Sequence, residues 1–281
     1  MDNLKAKKRH PEEIAVYTAI YVCAAFSVLL LLGIIIYVFA KGARRVNWAF
    51  LTGVTSILHG TVGIAGNILN TLIIILLTMI ITTPIGVGAA IYLNEYAKPG
   101  KLVTVIIFAT ETLAGIPSII FGLFGMLFFG QLCHMGYSLL TGSLTLTLMV
   151  LPLVTRNTQE ALKTVPDSFR TGAVGLGAGK WYTIRTILLP SAMPGIVTGV
   201  ILAIGRIVGE TAALIYTAGT VAEVSKGLLS SGRTLAIHMY VLSSEGLYTN
   251  QAYATAVVLL IFVLIINFMS SLVAKKFAAK D

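Results

Sequence analysis

The chain has 281 residues, of which 57% are hydrophobic and only 11% are charged. A water-soluble domain needs far more charge to cover its surface, so the composition excludes one. A net charge of +9 can indicate a nucleic-acid partner, but here the basic residues gather at the ends of apolar runs, as they do in membrane proteins. We therefore expect an all-α membrane protein that binds no nucleic acid.

Six apolar runs are long enough to cross a bilayer as helices, since a helix rises ~1.5 Å per residue and the hydrocarbon core is ~30 Å thick. They occupy residues 14–40, 68–93, 102–130, 138–154, 192–221 and 251–274. The first run is too long for a signal peptide, and we expect it to be retained. The pattern predicts one transmembrane domain over 14–274, with short tails at 1–13 and 275–281.

The basic residues also predict which side of the membrane each loop occupies. Most of the 20 Lys and Arg residues fall in segments that share a side with the N-terminus. Because cytoplasmic loops carry the excess of Lys and Arg, both termini and the polar segment 155–190 are expected in the cytoplasm. A small basic cluster after the first run, Lys41, Arg44 and Arg45, argues mildly for the opposite orientation.

The sequence offers little from which to build an enzyme. Its four histidines and two cysteines show no metal-ligand spacing, and no HExxH motif occurs. The run Gly175-Leu-Gly-Ala-Gly-Lys180 resembles a P-loop, but that motif needs Gly at 174 and Ser or Thr at 181, where the chain has Val174 and Trp181. We expect no metal site, no cofactor and no ATP bound by this chain.

Three ionisable residues lie inside the predicted spans: Glu111, Arg206 and Glu210. A charge at the centre of a transmembrane helix costs about 2.5–3.5 kcal/mol on insertion scales, so each should face the helix bundle or a water-filled cavity. Positions 206 and 210 share one face of a helix and can pair. Arg206, with Thr211 close by, offers a fork of donors that matches the oxygens of a tetrahedral oxyanion.

Two interpretations of these charges stay open. In the first, the four residues Glu111, Arg206, Glu210 and Thr211 line a substrate pathway. In the second, Arg206 and Glu210 form a structural ion pair that locks two helices together. A stable pair would partly neutralise the positive field that an anion needs, in which case Glu111 is the counter-charge that releases Arg206.

The polar segment 155–190 contains residues at a distinctive spacing. They are Thr171, Gly172, Ala173, Gly177, Ile187, Leu189 and Pro190. This spacing resembles the E-A-A…G…I-x-L-P loop of binding-protein-dependent ABC importer permeases, with Thr171 and Gly172 in place of the usual glutamate and first alanine. The resemblance implies a short coupling helix that is seated in a soluble ATPase subunit.

Elementary propensities agree with such a helix. The glycines at 172, 175, 177 and 179 are expected to interrupt a continuous helix, and Pro190 to stop what precedes it. Trp181, with Arg170 nearby, is expected to form a compact amphipathic knob that fits a groove on a soluble partner. The alternative is an ordinary basic inner loop.

The chain as a whole resembles the PstA-type permease subunits of phosphate ABC importers. The most specific piece is Ile204-Gly-Arg-Ile-Val-Gly-Glu-Thr-Ala-Ala213. The sister permease of the same importer shares much of it, and the short N-terminal region and the run Ile237-His-Met-Tyr240 favour the PstA type. The resemblance implies the type I ABC importer permease fold in a bacterial or archaeal cytoplasmic membrane.

The resemblance also implies partners. They are a second permease subunit of the PstC type, two ATP-binding subunits that hold ATP and Mg²⁺, and an extracytoplasmic phosphate-binding protein, with phosphate passing near Arg206. Three rival hypotheses stay open: a permease for sulfate or molybdate, an ion-coupled secondary transporter or channel that uses Glu111, Arg206 and Glu210 as a relay, and a non-transporting scaffold.

Overall fold

The computed structural model describes residues 11–56, 61–246 and 248–278. Of the two predicted tails, it therefore includes only residues 11–13 and 275–278, and the rest lies outside the described residues. The helices are α1 (Pro11–Gly42), α2 (Trp48–Thr52), α3 (Ala65–Ile91), α4 (Lys101–Gly115), α5 (Ser118–Gly125), α6 (Leu139–Lys163), α7 (Asp167–Gly175), α8 (Lys180–Thr183), α9 (Leu189–Val208), α10 (Ala212–Ile215), α11 (Leu235–Glu245) and α12 (Thr249–Ala278).

Several short elements complete the chain. Strands β1 (Val54–Ser56) and β2 (Thr61–Ile64) form a small antiparallel hairpin and are the strands found within the described residues. A π-helical turn, Tyr92–Tyr96, continues α3. A second, Met126–Leu132, continues α5, and a third, Ile184–Leu188, joins α8 to α9.

The prediction of a multi-span helical membrane protein is confirmed. Within the described residues, five helical stretches are long and apolar enough to cross a membrane: Ala15–Arg45, Ala65–Tyr96, Leu139–Lys163, Lys180–Val208 and Thr249–Met269. The pair Lys101–Gly115 and Ser118–Leu132 makes a sixth span if it is counted as one unit.

The predicted continuous third span, 102–130, is wrong. Its two helices, α4 and α5, are bent by 103° relative to each other. Pro117 has no backbone N–H to continue the helix, and the residue before a proline is driven to extended geometry. Ile116 accordingly has φ −74° and ψ 133°. The Gly-Ile-Pro sequence breaks the span at this point.

The predicted limits of the fourth and fifth spans also need correction. Helix α6 continues to Lys163, well into the segment 155–190 that was expected to be a loop. The helical stretch that corresponds to the predicted fifth span covers Lys180–Val208, whereas the prediction was 192–221. Apolar composition alone does not mark these limits, because polar residues such as Arg156 and Lys163 are good helix formers.

Helix α6 is the centre of the bundle. In its membrane-spanning stretch, 67% of the most apolar residues are buried, against 0% in the corresponding stretch of α1. It packs against α3, α5 and α9, and small residues allow these helices to approach closely. A Cβ at Gly195 of α9 would come within 2.6 Å of the Ala161 Cβ on α6. Helix α1 instead packs on α12 and leaves an apolar face for lipid or another subunit.

The two ends of the bundle differ. At the end where α3 begins, Ile64 of the hairpin packs with Phe50, Leu235 and Ala254 in a small buried cluster. Helix α11 lies at this end and packs on α12 and α3. At the opposite end, where α3 and α6 finish, lie α7 and α8. We call these the hairpin end and the α7 end.

Candidate functional site

The segment between α6 and α9 folds as a short helix, a tight turn and a second helix. Helix α7 follows Pro166, and Asp167 places a negative charge in its first turn, where it favours the helix dipole. After α7, Gly177 has φ +80°, a left-handed conformation that favours glycine. The Gly177 N–H donates to the Val174 carbonyl at 2.9 Å, and the Ala178 N–H to the Ala173 carbonyl at 2.9 Å. This is a Schellman cap.

The expectation that glycines interrupt this segment is confirmed at Gly177 and wrong at Gly172. Gly172 lies inside α7. The expectation that Pro190 stops the preceding helix is also wrong, since Pro190 lies in the first turn of α9 and the helical stretch runs through it. The π-helical turn that contains Ile187 ends just before Leu189. A proline is tolerated there because the wider π-helical turn already departs from the regular pattern of backbone hydrogen bonds, so the missing N–H of Pro190 interrupts less of it.

Large apolar side chains of α7, α8 and their connecting turn point away from the bundle. Leu176 is 91% exposed and Trp181 61% exposed, and Phe169, Val174 and Tyr182 are exposed as well. We call these five side chains the α7–α8 surface. Ala173, Thr183 and Ile184 are buried beneath it and hold the helices to the bundle. An exposed apolar patch of this kind, presented by a rigid turn, is typical of a protein-binding surface.

An ion-pair network anchors α7 to the end of α3. The Arg170 Nη2 lies 2.9 Å from the Glu95 Oε1, and the Arg170 Nη1 lies 3.0 Å from the Asp167 Oδ1. The same guanidinium donates to the carbonyls of Leu162 and Val165 at 3.0 Å each. The Glu95 side chain is only 8% exposed. The hydrogen bond with Glu95 raises the pKa of the Arg170 guanidinium above the ordinary value of an arginine.

Arg170 is therefore held by the chain itself, whereas the sequence predicted it as part of the knob that meets a soluble partner. A second contact supports the same connection, because the Lys180 Nζ lies 4.7 Å from the centroid of the Tyr96 ring. Thr171, the residue at the motif's glutamate position, is exposed, and its hydroxyl donates to the Asp167 carbonyl at 3.2 Å.

Of the two interpretations left open for Arg206 and Glu210, the structural ion pair does not form within the described residues. Helix α9 ends at Val208, so Glu210 lies outside the helix and no longer shares a face with Arg206. The Glu210 Oε1 instead accepts a hydrogen bond from the Ala213 N–H at 3.1 Å and caps α10. Among the described residues, Arg206 forms no ion pair, and its side chain is exposed.

The other two predicted pathway residues are separate from one another. Thr211 lies beside Glu210 in the break between α9 and α10, and its hydroxyl donates to the Gly209 carbonyl at 3.4 Å. Glu111 lies on the exposed face of α4, one turn before the Gly115 end of that helix. The part of the chain that the structure describes shows no ion pair of Glu111 with Arg206.

Sequence reasoning missed Glu95 as a functional candidate. It lies just beyond the predicted second span, 68–93. The available signal was a carboxylate at the limit of an apolar run, which requires a partner if it is buried. Its partner could not be identified from spacing, because 75 positions separate Glu95 from Arg170.

Comparisons with known proteins agree with this architecture. Residues 82–280 match the family of binding-protein-dependent transport system inner membrane components. A probable ABC transporter permease protein of Bacillus subtilis, YqgI, is 34% identical over 92% of this chain and 94% of its own length. The phosphate transport system permease protein PstA of Xylella fastidiosa is 34% identical over 81% of this chain and 80% of its own length.

A solved structure shares the fold. It is a bacterial alginate ABC transporter in complex with a periplasmic protein that holds an alginate pentasaccharide. One of its chains superposes with a TM-score of 0.68 at 17% identity, over 94% of this chain and 96% of that one. The type I importer permease fold that was expected is thus confirmed. The chain belongs to the binding-protein-dependent transport system inner membrane components and is a permease subunit of an ABC importer, not itself an enzyme.

Proposed function

We propose that this permease subunit translocates inorganic phosphate across the cytoplasmic membrane in an ATP-driven importer. The observation that carries the proposal is Arg206, an exposed and unpaired guanidinium at the end of a membrane-spanning helix. Such a charge is tolerated in a span only if it faces water, a partner or an anion. The PstA name of several relatives supports phosphate as that anion.

The break after α9 supports a pathway at this place. Residues 209–211 leave the helix directly after Arg206, before α10 begins at Ala212. Non-helical backbone at membrane depth is tolerated where it lines a cavity or is buried in protein, and transporters commonly build their substrate sites from such broken helices. Arg206 would then bind phosphate, while Glu210 fixes the break and Thr211 contributes a hydroxyl.

In this proposal, the energy of ATP hydrolysis reaches the permease at the α7 end of the bundle. The α7–α8 surface seats in an ATPase subunit, and the Arg170–Glu95 pair transmits its movement to α3. ATP and Mg²⁺ are held by two such partner subunits. In the same proposal, segment 155–190 and both termini lie in the cytoplasm. The hairpin end lies outside, where a phosphate-binding protein delivers substrate. A second permease subunit covers the exposed face that contains Arg206.

The test is uptake of labelled phosphate by cells with and without this chain, each measured with an excess of unlabelled sulfate or molybdate and after ATP depletion. We expect uptake that requires the chain and ATP and that resists both competing anions. Competition by sulfate or molybdate would assign the permease to another oxyanion. Uptake that survives ATP depletion but collapses with the proton gradient would contradict the ATP-driven mechanism and favour a secondary transporter.

A further inference from the structure

The hairpin end contains a large open pocket with a buried arginine. Its volume is about 940 Å³, and it lies between β1, the segment that follows α10, and the end of α11. The polar residues in its lining are Thr55, Thr220, Glu223, Arg233, Ser244 and Glu245. This pocket is built from elements other than the Arg206 end of α9.

Arg233 is held firmly by its backbone, while its side chain has no hydrogen bond or ion pair among the described residues. The Asn67 Nδ2 donates to the Arg233 carbonyl at 3.1 Å, and the Asn70 Nδ2 donates to it at 3.3 Å. The Arg233 N–H donates to the Val221 carbonyl at 3.0 Å. The residue is only 6% exposed, yet its Nε has no hydrogen-bond partner. No ion pair to it occurs within the described residues.

A buried guanidinium in this state is unfavourable unless something outside the chain satisfies it. Burial lowers the pKa of Arg233 from its ordinary value, and the charge of Glu245 offsets only part of this effect. Glu223 and Glu245 also line the pocket, but both are exposed, so water screens their charges. Burial also lowers the pKa of His238 to about 3, so its ring adds no positive charge. Arg233 is the cation that a ligand in this pocket would meet.

We propose that the Arg233 pocket is a second oxyanion site on the extracytoplasmic side, which takes phosphate before it reaches Arg206. The choice of phosphate rests on the proposed function. A guanidinium donates in a planar fork that suits a tetrahedral oxyanion. A small free anion reaches a side chain that is 6% exposed through an open pocket, whereas a carboxylate of a docked protein would need a loop that penetrates to the same depth.

The test uses the purified intact transporter in nanodiscs, without the binding protein. Binding of labelled phosphate is measured at equilibrium for the wild type, Arg233→Gln and Arg233→Lys. We expect Arg233→Gln to weaken this binding at least tenfold and Arg233→Lys to retain part of it. Arg44→Gln, which removes an exposed arginine after α1, is the matched control and should bind as the wild type does. Arg233→Gln breaks no side-chain hydrogen bond, so we expect it to fold.

Two results would overturn the site and leave the proposed function standing. One is Arg233→Gln binding phosphate as the wild type does, while uptake still depends on Arg206. The other is no binding by the wild type without the binding protein, combined with loss of binding-protein-stimulated ATP hydrolysis in Arg233→Gln, which would assign the pocket to a protein carboxylate. If uptake proves specific for another anion, the proposed function fails, but loss of phosphate binding in Arg233→Gln would still establish an oxyanion site.

Discussion

Arg170 at the α7 end and Arg206 at the end of α9 have opposite surroundings. All three side-chain nitrogens of Arg170 donate to oxygens of the chain itself, on Glu95, Asp167, Leu162 and Val165. Arg206 is exposed and forms no ion pair among the described residues. The first arginine holds elements of one chain together, and in the proposed function the second presents its charge to a ligand outside the chain.

This contrast separates structural charges from functional ones better than position in a motif does. A buried pair whose hydrogen bonds are all satisfied fixes geometry, and breaking it leaves an uncompensated charge. An unpaired charge in a span is expensive and is therefore expected to serve a ligand, a partner or a cavity. The same reasoning applies to apolar side chains, since the α7–α8 surface is exposed without a partner in this chain.

The largest effect should follow from changing the α7–α8 surface. We expect Gly177→Trp to insert into the membrane but lose the ATPase subunit, because the left-handed turn at Gly177 would be strained and the surface distorted. Trp181→Ala should reduce ATPase co-purification at least tenfold through loss of an exposed aromatic anchor. Trp48→Ala is the matched control, since Trp48 is also exposed but lies near the hairpin end. Unchanged co-purification of the ATPase with Gly177→Trp would count against this assignment.

Breaking the Arg170–Glu95 pair should have the next largest effect. Arg170→Ala leaves the Glu95 carboxylate without its ion pair and with the Asn94 amide as its remaining hydrogen-bond donor, at a cost of about 2–3 kcal/mol once the partial exposure of Arg170 is taken into account. We expect lower thermal stability and weaker coupling, measured as phosphate transported per ATP hydrolysed. Glu95→Gln should show the same direction with a smaller change. If Arg170→Ala transports as much phosphate per ATP hydrolysed as the wild type does, the pair only holds the fold together.

A core contact that involves no charge provides a third comparison. A Cβ at Gly125 would collide with the Thr145 side chain on α6, whereas a Cβ at Gly88 of α3 meets nothing within 4 Å. Gly125→Ala should therefore destabilise the protein by about 1–2 kcal/mol through overpacking. Gly88→Ala should be neutral or slightly stabilising. The Tm of the two variants in the same detergent checks this, and equal values would show that α5 moves away from α6 without cost.

The smallest effect concerns His238, which is buried and whose ring nitrogens find no hydrogen-bond partner in the part of the chain that the structure describes. Burial lowers its pKa from 6.5 to about 3, so the folded state disfavours the proton that the unfolded chain accepts. Stability should be unaffected above pH 6.5 and fall as the pH decreases toward 3, by about 1 kcal/mol at pH 5.5. In His238→Leu the decrease in Tm between pH 7 and 5.5 should be smaller. A decrease as large as that of the wild type would place the sensitivity elsewhere.

Much of the fold is predictable from local sequence, because apolar run length and composition specify which segments cross a membrane. The break at Pro117 is visible in the Gly-Ile-Pro sequence, but run length and apolar composition alone predict one span over 102–130. The end of α9 at Val208 was not predicted, although Gly209 directly follows it as the C-cap, because the predicted fifth span continues through this residue to 221. Contacts outside the helix determine where α9 ends. Glu210 accepts a hydrogen bond from the first turn of α10, and Ala213 and Leu214 are buried against α5 and α6.

The candidate site divides in the same way. The turn at Gly177 follows from the motif spacing and from glycine's conformational freedom. The partner of Arg170 and the burial of Arg233 depend on contacts between segments distant in sequence, such as Glu95 with Arg170 and Asn67 with the Arg233 carbonyl. Single-sequence periodicity contains no information about such pairs.

The most direct test of the central claim is Arg206→Gln, measured in proteoliposomes that contain the complete transporter. Phosphate uptake, ATP hydrolysis and subunit composition should be determined on the same preparation. We expect uptake to fall at least a hundredfold, because the cation that binds phosphate is gone, while the ATPase subunits stay bound through an intact α7–α8 surface. Near-normal phosphate uptake by the assembled variant would contradict the role assigned to Arg206.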